Sequence, residues 1–466
     1  MSQSVAAPTD LAPFDELKAS LRGELISPSD AEYDAARAVY NGMIDRRPAA
    51  IARCADVGDV VAAVNFAREH RLALAVRGGG HNGGGLGVVD DGLVIDLSSM
   101  KGTRVDAKEG TVRVGGGCVW GDVDHATHAY GMATPSGIIS TTGVGGLTLG
   151  GGIGHLSRAC GLSVDNLLSV DMVLADGSIV TANAQEHPDL FWAVRGGGGN
   201  FGVVVSFLFR LHPIKMVYGG PMLWELDRAE EIMRWYRDFI TTAPTTLNGW
   251  FAFLRVPPGP PFPEQLHNRV VCGIVWCYTG PEDKADEVFA PVRHLPPPAF
   301  ELIGSFPHPA LQGMFDAVYP PGLQWYWRAD FVKELSDEAI ALHVKHGSAL
   351  PAISTMHLYP INGAVHEVGS QDTAFSFRDA TWAEVIVGVD PDPANAGPIR
   401  DWTVAYWEAL HPYSMGGAYV NFMMDEGQER IRATYRDGYD RLVEIKNKYD
   451  PTNLFHVNQN IRPTVS

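Results

Sequence analysis

Of the 51 glycines in this chain of 466 residues, 30 fall between Gly78 and Gly202. Glycine loses more backbone freedom on folding than any other residue, so such a density is expected where the main chain must turn sharply or admit something closely. The stretch "VRGGGHNGGGLG", residues 76–87, places His81 between two runs of three glycines directly after an apolar segment. A segment that removes side chains from around one imidazole reads as the lining of a buried ligand.

Bulk properties narrow the ligand. Hydrophobic residues make up 45% of the chain and the mean hydropathy is close to zero, as in a protein of two or three domains with large cores. No apolar run reaches the roughly 18 residues that span a bilayer. The first residues, "MSQSVAAPTDLAPFDELK", lack the basic start and apolar core of a secretion signal, so a cytoplasmic location is expected. The 5 cysteines, at 54, 118, 160, 272 and 277, show no CxxC spacing, which argues against a disulfide framework or a zinc site. A formal charge of −18 disfavours nucleic acid and anionic membrane as partners. Small-molecule chemistry remains.

Along the chain, "DVVAAVNFAREHRLALAVRGGGH" reads as an amphipathic helix feeding a short strand, Ala73 to Arg77. "GLVIDLS", "GTVRVGGG", "LLSVDMVLADGSIVTA" and "GVVVSFLFRLHP" read as strands separated by turns such as Ala175-Asp176-Gly177, and "WGDVDHATHAYG" has helical character. After about residue 216, "DRAEEIMRWYRDFI" is helical, while "GWFAFLRV", "RVVCGIVWCY", "QWYWRADFV" and "WAEVIVGV" suggest a second, antiparallel sheet. "VPPGPPFPEQ" must be a loop. A helix from about Gln428 to Lys448 and an extended "LFHVNQNIRP" close the chain. The expected class is α+β.

Familiar motifs do not account for the glycines. Gly78, Gly80 and Gly83 match GxGxxG, but that fingerprint needs a following helix and the sequence continues as turn and strand. GxxxxGK[ST], HExxH and GxSxG are absent. His125 and His128 sit three apart on a probable helix without a third ligand nearby, so a solvated face is favoured and no metal is expected.

Four separated segments, "VRGGGHNGGGLG", "ATPSGIISTTGVGGLTLGGGIGHLSRACGLSVDNLLSVDMVLADGSIV", "DLFWAVRGGGGNFGVV" and "YDPTNLFHVNQNIRP", together resemble the berberine bridge enzyme-like branch of the flavin oxidases that share the vanillyl-alcohol oxidase, or PCMH-type, fold. The likeness runs from about residue 45 to 463. It implies a two-domain flavoprotein with an FAD-binding domain over 40–215, a substrate-binding domain over 216–424 and a segment, 425–466, that returns to the first. Glycine turns suit this cofactor because unblocked backbone N–H groups can reach its pyrophosphate. Gly78 to Gly80, Gly145 and Gly146, Gly150 to Gly152 and Gly196 to Gly199 are candidates for that cradle. With the resemblance, the expected cofactor contacts are Arg77, Gly78, Gly79, Gly80, Asn82, Gly83, Pro135, Ser136, Thr141, Thr142, Gly143, Gly145, Gly146, Gly150, Gly152, Gly154, His155, Asn200, Gly202, Val203 and Asn458. Asn458 could equally be a cap, and Asp165 and Asn166 are expected to hold a turn.

In the family the histidine at the place of His81 is bonded covalently to the 8α methyl carbon of the flavin. A second bond, from a cysteine after "PxG", is ruled out because that residue is Ile139; Leu147 stands where histidine is frequent. A singly linked FAD is therefore expected, with a smaller, more enclosed substrate than an oligosaccharide. A residue three places after the cysteine position guards the oxygen path in the family; here Thr142 is small enough to admit O₂.

Strand alternation places Ala383, Val385, Val387 and Val389 on one face of "WAEVIVGV" and Trp382, Glu384 and Ile386 on the other. Read as a strand, "GAYVNFMM" separates Ala418, Val420, Phe422 and Met424 from Tyr419, Asn421 and Met423 in the same way. With the apolar faces under helices, Glu384 and Tyr419 would face the flavin, Glu384 as base and Tyr419 as its support or substitute; the alternative is two polar residues on a solvent-facing sheet. Trp325, Tyr326 and Trp327 are core or substrate wall. The expected activity is transfer of hydride to flavin N5 from a C–H bond bearing a hydroxyl or amine, a protein base taking the proton and O₂ regenerating the flavin with release of H₂O₂. A sugar oxidase forming a lactone, a dehydrogenase with another acceptor, and a flavin-binding protein without catalysis are the alternatives.

Overall fold

The computed structural model describes residues 14–464. Asp56, with extended backbone, accepts hydrogen bonds from the amides of Gly58 and Asp59 and so caps the helix Val57–Glu69. The buried stripe of that helix, Val60, Ala63, Val64 and Ala67, packs on a four-stranded sheet made of β1 (Glu24–Ile26), β2 (Ala50–Arg53), β3 (Leu74–Arg77) and β4 (Leu93–Asp96) in the order β1-β2-β4-β3. The pairs β2/β4 and β3/β4 are parallel. The glycine run leaves the end of β3, and the chain continues through turns to β4 with no helix between them. This is why GxGxxG does not make a dinucleotide fold here.

A second sheet has five strands, β5 (Thr103–Asp106), β6 (Thr111–Gly115), β7 (Leu167–Val173), β8 (Ile179–Asn183) and β9 (Val203–Arg210), in the order β5-β6-β9-β7-β8. The hairpin β7/β8 turns at Gly177, whose φ of +83° suits glycine. Val112, Val114, Val170, Phe207 and Phe209 of this sheet share a core with Ile431, Tyr435, Leu442, Ile445 and Ile461, so the last segment of the chain packs on the glycine-rich half.

The third sheet has eight strands: β10 (Met216–Glu225), β11 (Leu247–Arg255), β12 (Val270–Tyr278), β13 (Phe300–Glu301), β14 (Gly304–Pro307), β15 (Gln324–Val332), β16 (Thr355–Pro360) and β17 (Trp382–Asp390). Its main path is β13-β10-β12-β11-β16-β17-β15, with β14 paired to β10, and every pairing is antiparallel. Helices Ala229–Ile240, Asp337–Gly347 and Ala396–Leu410 cover one face through Ile232, Tyr236, Ile340 and Tyr406. The other face turns toward the two smaller sheets. Mixed helices with mainly antiparallel sheets make the fold α+β, as expected. Among the described residues no helix is long and apolar enough to cross a membrane.

Two local expectations fail. Residues 417–424 form no strand; they run irregularly through the short 3₁₀ turn Val420–Phe422. The reason is that the segment threads between two cores, with Ala418, Val420 and Met423 packed in one and Tyr419, Phe422 and Met424 in the other. The final helix is also two helices, Gly427–Tyr435 and Tyr439–Tyr449, broken where Arg436 takes φ +47°.

Candidate active site

A cavity of about 660 Å³ lies between the glycine-rich half and the open face of the eight-stranded sheet. That is within the range of ligand clefts, roughly 300–1,000 Å³. Arg77, Gly78, Gly79, Gly80, His81, Asn82, Thr142, Gly143, Gly145, Gly146, Asn200, Gly202 and Asn458 line it from the first half, with Tyr419 at the junction. The backbones of Gly79 and Gly143 touch so closely that a Cβ on Gly79 would lie 2.4 Å from the amide nitrogen of Gly143. A Cβ on Gly146 or Gly199 would meet nothing within 4 Å, so these glycines leave open space at the wall.

His81 is held on three sides. The Tyr40 ring stacks on it, Thr141 Oγ1 is 3.1 Å from Nε2 and Thr142 Oγ1 is 3.5 Å from Nδ1. Burial lowers its pKa to about 4, so the imidazole is neutral, with one ring nitrogen unprotonated. Behind the loop, Arg77 donates to Asp96 at 2.8 Å and anchors the end of β3. Asn458 donates through Nδ2 to the carbonyls of Phe455 (2.9 Å) and Gly199 (3.3 Å), while its buried Oδ1 has no protein partner. An open glycine wall, a neutral histidine and an unpaired amide oxygen in one cleft fit FAD: backbone N–H groups unblocked by side chains suit its phosphates, and Asn458 has an acceptor to spare.

The other expected cofactor residues, Gly83, Pro135, Ser136, Gly150, Gly152, Gly154, His155 and Val203, are not among those that line the cavity. A Cβ on Gly154 would lie 2.1 Å from the Ser136 carbonyl oxygen, and one on Gly150 would lie 2.1 Å from Asn421 Oδ1. Pro135 accepts from Ser163 Oγ, Gly83 packs on the Trp327 ring, and Val203 belongs to the core beneath the four-stranded sheet. His155 is buried near Trp250. Gly152 donates its N–H to Tyr419 Oη at 2.8 Å. Asp165 does hold a turn, accepting from the Leu162 amide, and also binds Arg378 through both oxygens at 2.7 and 2.8 Å.

Glu384 does not face the cavity. It lies on the helix-covered face of β17 with Trp382 and Ile386, 3.6 Å from His343 Nε2 and opposite Asp330 in the register. Val385 and Val387 line the cavity instead. Every residue of β17 is buried, so the strand has two interior faces and its alternation does not tell which one meets the helices. Burial first, and then Asp330, raise the Glu384 carboxyl well above its ordinary range.

Sequence reasoning missed His357 and Tyr359, which share the cavity face of β16. Tyr359 Oη and His357 Nδ1 are 2.6 Å apart. The i, i+2 spacing in "MHLYP" was the available signal. Trp250, Trp325 and Trp327 also line the cavity, whereas Tyr326 does not; loop residues Phe262, Met314 and Phe315 close its outer end. Among the described residues no Asp, Glu or Lys lines the cavity, and the lining Arg255 spends its guanidinium on the carbonyls of Ala352, Asn268 and Leu350.

Comparison with known proteins agrees with this site. A family model described as an FAD binding domain matches residues 48–183, and one described as berberine and berberine like matches residues 418–462. Fold and site together define an FAD-linked oxidoreductase. An FAD-linked oxidoreductase of Dictyostelium discoideum is 35% identical over 423 residues, covering 88% of this chain and 87% of the relative. The crystal structure of 6-hydroxy-D-nicotine oxidase from Arthrobacter nicotinovorans superposes with a TM-score of 0.85 at 25% identity, covering 95% of this chain and 98% of that one. A xylooligosaccharide oxidase from Myceliophthora thermophila shares the fold, with a TM-score of 0.85 at 23% identity over 98% of this chain and 100% of that one. The chain belongs to the berberine bridge enzyme-like family of FAD-linked oxidoreductases.

Proposed function

We propose that this chain is an oxidase of small, uncharged, largely apolar alcohols, with FAD attached through His81 alone. The observation that carries the reading is the composition of the cavity: a glycine wall ending in a neutral histidine faces an aromatic wall that, among the described residues, has no carboxylate and no lysine. An ammonium group would enter such a space without a counter-ion, so a hydroxyl is favoured over a charged amine. Bound FAD supplies the two-electron acceptor. Ile139, an aliphatic side chain in the cavity wall, offers no sulfur for a second attachment. Thr142 lies beside His81 in the same wall, and its small side chain supports the reading that O₂ is the acceptor, which would give H₂O₂.

Tyr419 is the group that orients the substrate oxygen. Its Oη receives the Gly152 N–H and the Asn421 Nδ2–H at 2.8 and 2.7 Å, and burial lifts its pKa to about 12. A neutral phenol with two donors on its oxygen has its own O–H left to give. Peroxide production and anaerobic bleaching of the flavin, measured over a panel of benzylic and aliphatic alcohols, amines and aldoses, test the proposal. Turnover of neutral alcohols is expected; a response confined to amines or to sugars rejects it.

A further inference from the structure

Among the described residues the cavity offers no carboxylate to take the proton that leaves an alcohol as it becomes a carbonyl, and Glu384 lies on the far side of the sheet. Tyr419 is a poor acceptor because both lone pairs of its neutral oxygen are already engaged. His81 stands at the attachment end. Among the described lining residues, Tyr359 joins a hydroxyl directly to a titratable acceptor, the imidazole of His357. We infer that Tyr359 takes the proton of the substrate hydroxyl while passing its own phenolic proton to His357 Nδ1.

This inference rests on the alcohol-oxidase reading above. Ring centroids run from Tyr419 to Phe422 at 5.0 Å, from Phe422 to Tyr359 at 6.3 Å, from Tyr359 to His357 at 5.6 Å and from His357 to Trp250 at 4.7 Å, so the pair sits mid-wall in an aromatic row. His357 is flanked in the register by Ala252 and Val385, and neither side chain offers it a polar partner. Burial lowers the imidazole's pKa to about 3 and raises that of the phenol, so both begin neutral. Phenol is the stronger acid and imidazole nitrogen the stronger acceptor, which directs the 2.6 Å bond from Tyr359 O–H to Nδ1. The Tyr359 oxygen then has lone pairs for the substrate. In the reaction the substrate O–H bond breaks as a new Tyr359 O–H bond forms, and the former phenolic proton ends on Nδ1. The C–O bond becomes a carbonyl, and the hydride lost from carbon goes to FAD as oxidant. When the product departs, Nδ1 returns its proton to Tyr359 as Tyr359 releases the substrate-derived proton to entering water, which restores the starting pair.

Two measurements test the pair. In the FAD-loaded protein, 4-nitrophenol and 4-nitroanisole are titrated against tryptophan fluorescence. Tyr359→Phe should weaken 4-nitrophenol about five- to tenfold, the loss of one hydrogen bond, and leave 4-nitroanisole, which has no proton to give, unchanged. Equal weakening of both probes, or of neither, overturns the inference. Anaerobic flavin reduction is then followed with benzyl alcohol and 1-phenylethanol. Tyr359→Phe and His357→Gln should each slow it about 10²- to 10⁴-fold, the range of general-base catalysis. The double variant should be no slower than the slower single one, because one relay is broken once. Additive losses, or a wild-type rate in either single variant, overturn it. If neither alcohol reduces the wild-type flavin, the alcohol-oxidase reading fails, and the paired binding titrations still decide whether Tyr359 accepts a hydroxyl proton.

Discussion

His81 and Tyr40 lie face to face, their ring centroids 3.9 Å apart and their planes 18° from parallel. Tyr40 is fixed in turn by its hydroxyl, which donates to the Tyr319 carbonyl at 2.5 Å. The stack aligns the one imidazole proposed to carry the cofactor. Tyr40→Leu should slow covalent attachment by about two- to tenfold, the value of an aromatic pair, while Tyr40→Phe should be milder. His81→Ala should abolish attachment, so that acid precipitation leaves all the yellow colour in the supernatant. Because burial holds His81 neutral down to about pH 4, attachment should be insensitive to pH near neutrality and fail as pH falls toward that value.

Glu384→Gln should leave the rate of anaerobic flavin reduction unchanged, since the carboxyl is behind the sheet. Its effect belongs to stability. The folded protein holds a proton on Glu384 that the unfolded chain releases above its ordinary value of 4.5, so the folded state binds more protons there. The stabilising contribution of this group is therefore complete below that value and is lost as pH rises toward the raised folded pKa. Melting temperatures of the Gln variant relative to wild type should improve from mildly acidic to mildly alkaline buffer. Glu384→Ala, which opens a void beside His343, should cost about 2–4 kcal/mol in acid, where Glu384 is protonated in both states, and less as pH rises.

Thr142→Leu should slow reoxidation of the reduced flavin by air and leave its anaerobic reduction by substrate nearly as in wild type. Thr142 lines the cavity beside His81, and the added bulk would fill the approach proposed for O₂. Stopped-flow measurement of the two half-reactions separates these effects. Equal slowing of both would mean that the residue shapes the substrate site.

Lys446→Met should cost about 3–5 kcal/mol, the usual loss when one partner of a buried ion pair is removed. Lys446 is fully buried and its Nζ donates to Asp450 and to the carbonyls of Asn200 and Phe455 at 2.7, 2.7 and 2.9 Å. Asp450 accepts in turn from the amides of Leu454 and Phe455. The pair ties the returning segment to the loop that carries Asn200. Urea unfolding should shift to lower concentration, and flavin should be released more readily from a His81→Ala background.

The glycine cluster and the strands around it were legible in the sequence because each depends on local chemistry. A residue without a side chain is visible as a letter, and alternation marks β17 as a strand wherever it sits. What alternation leaves open is direction. Trp382, Glu384 and Ile386 look like the exceptional face of β17, yet the helices that cover them come from residues 229–240, 337–347 and 396–410, and only packing assigns those helices to that side. The same holds for 417–424, whose alternation mimics a strand but arises from threading between two cores. His357 and Tyr359 gain their meaning from a cavity built by strands far apart in the chain. Periodicity follows from backbone geometry and so belongs to the sequence. Which face meets water, ligand or helix depends on the free energy of the whole packed assembly, and the tertiary structure alone decided it.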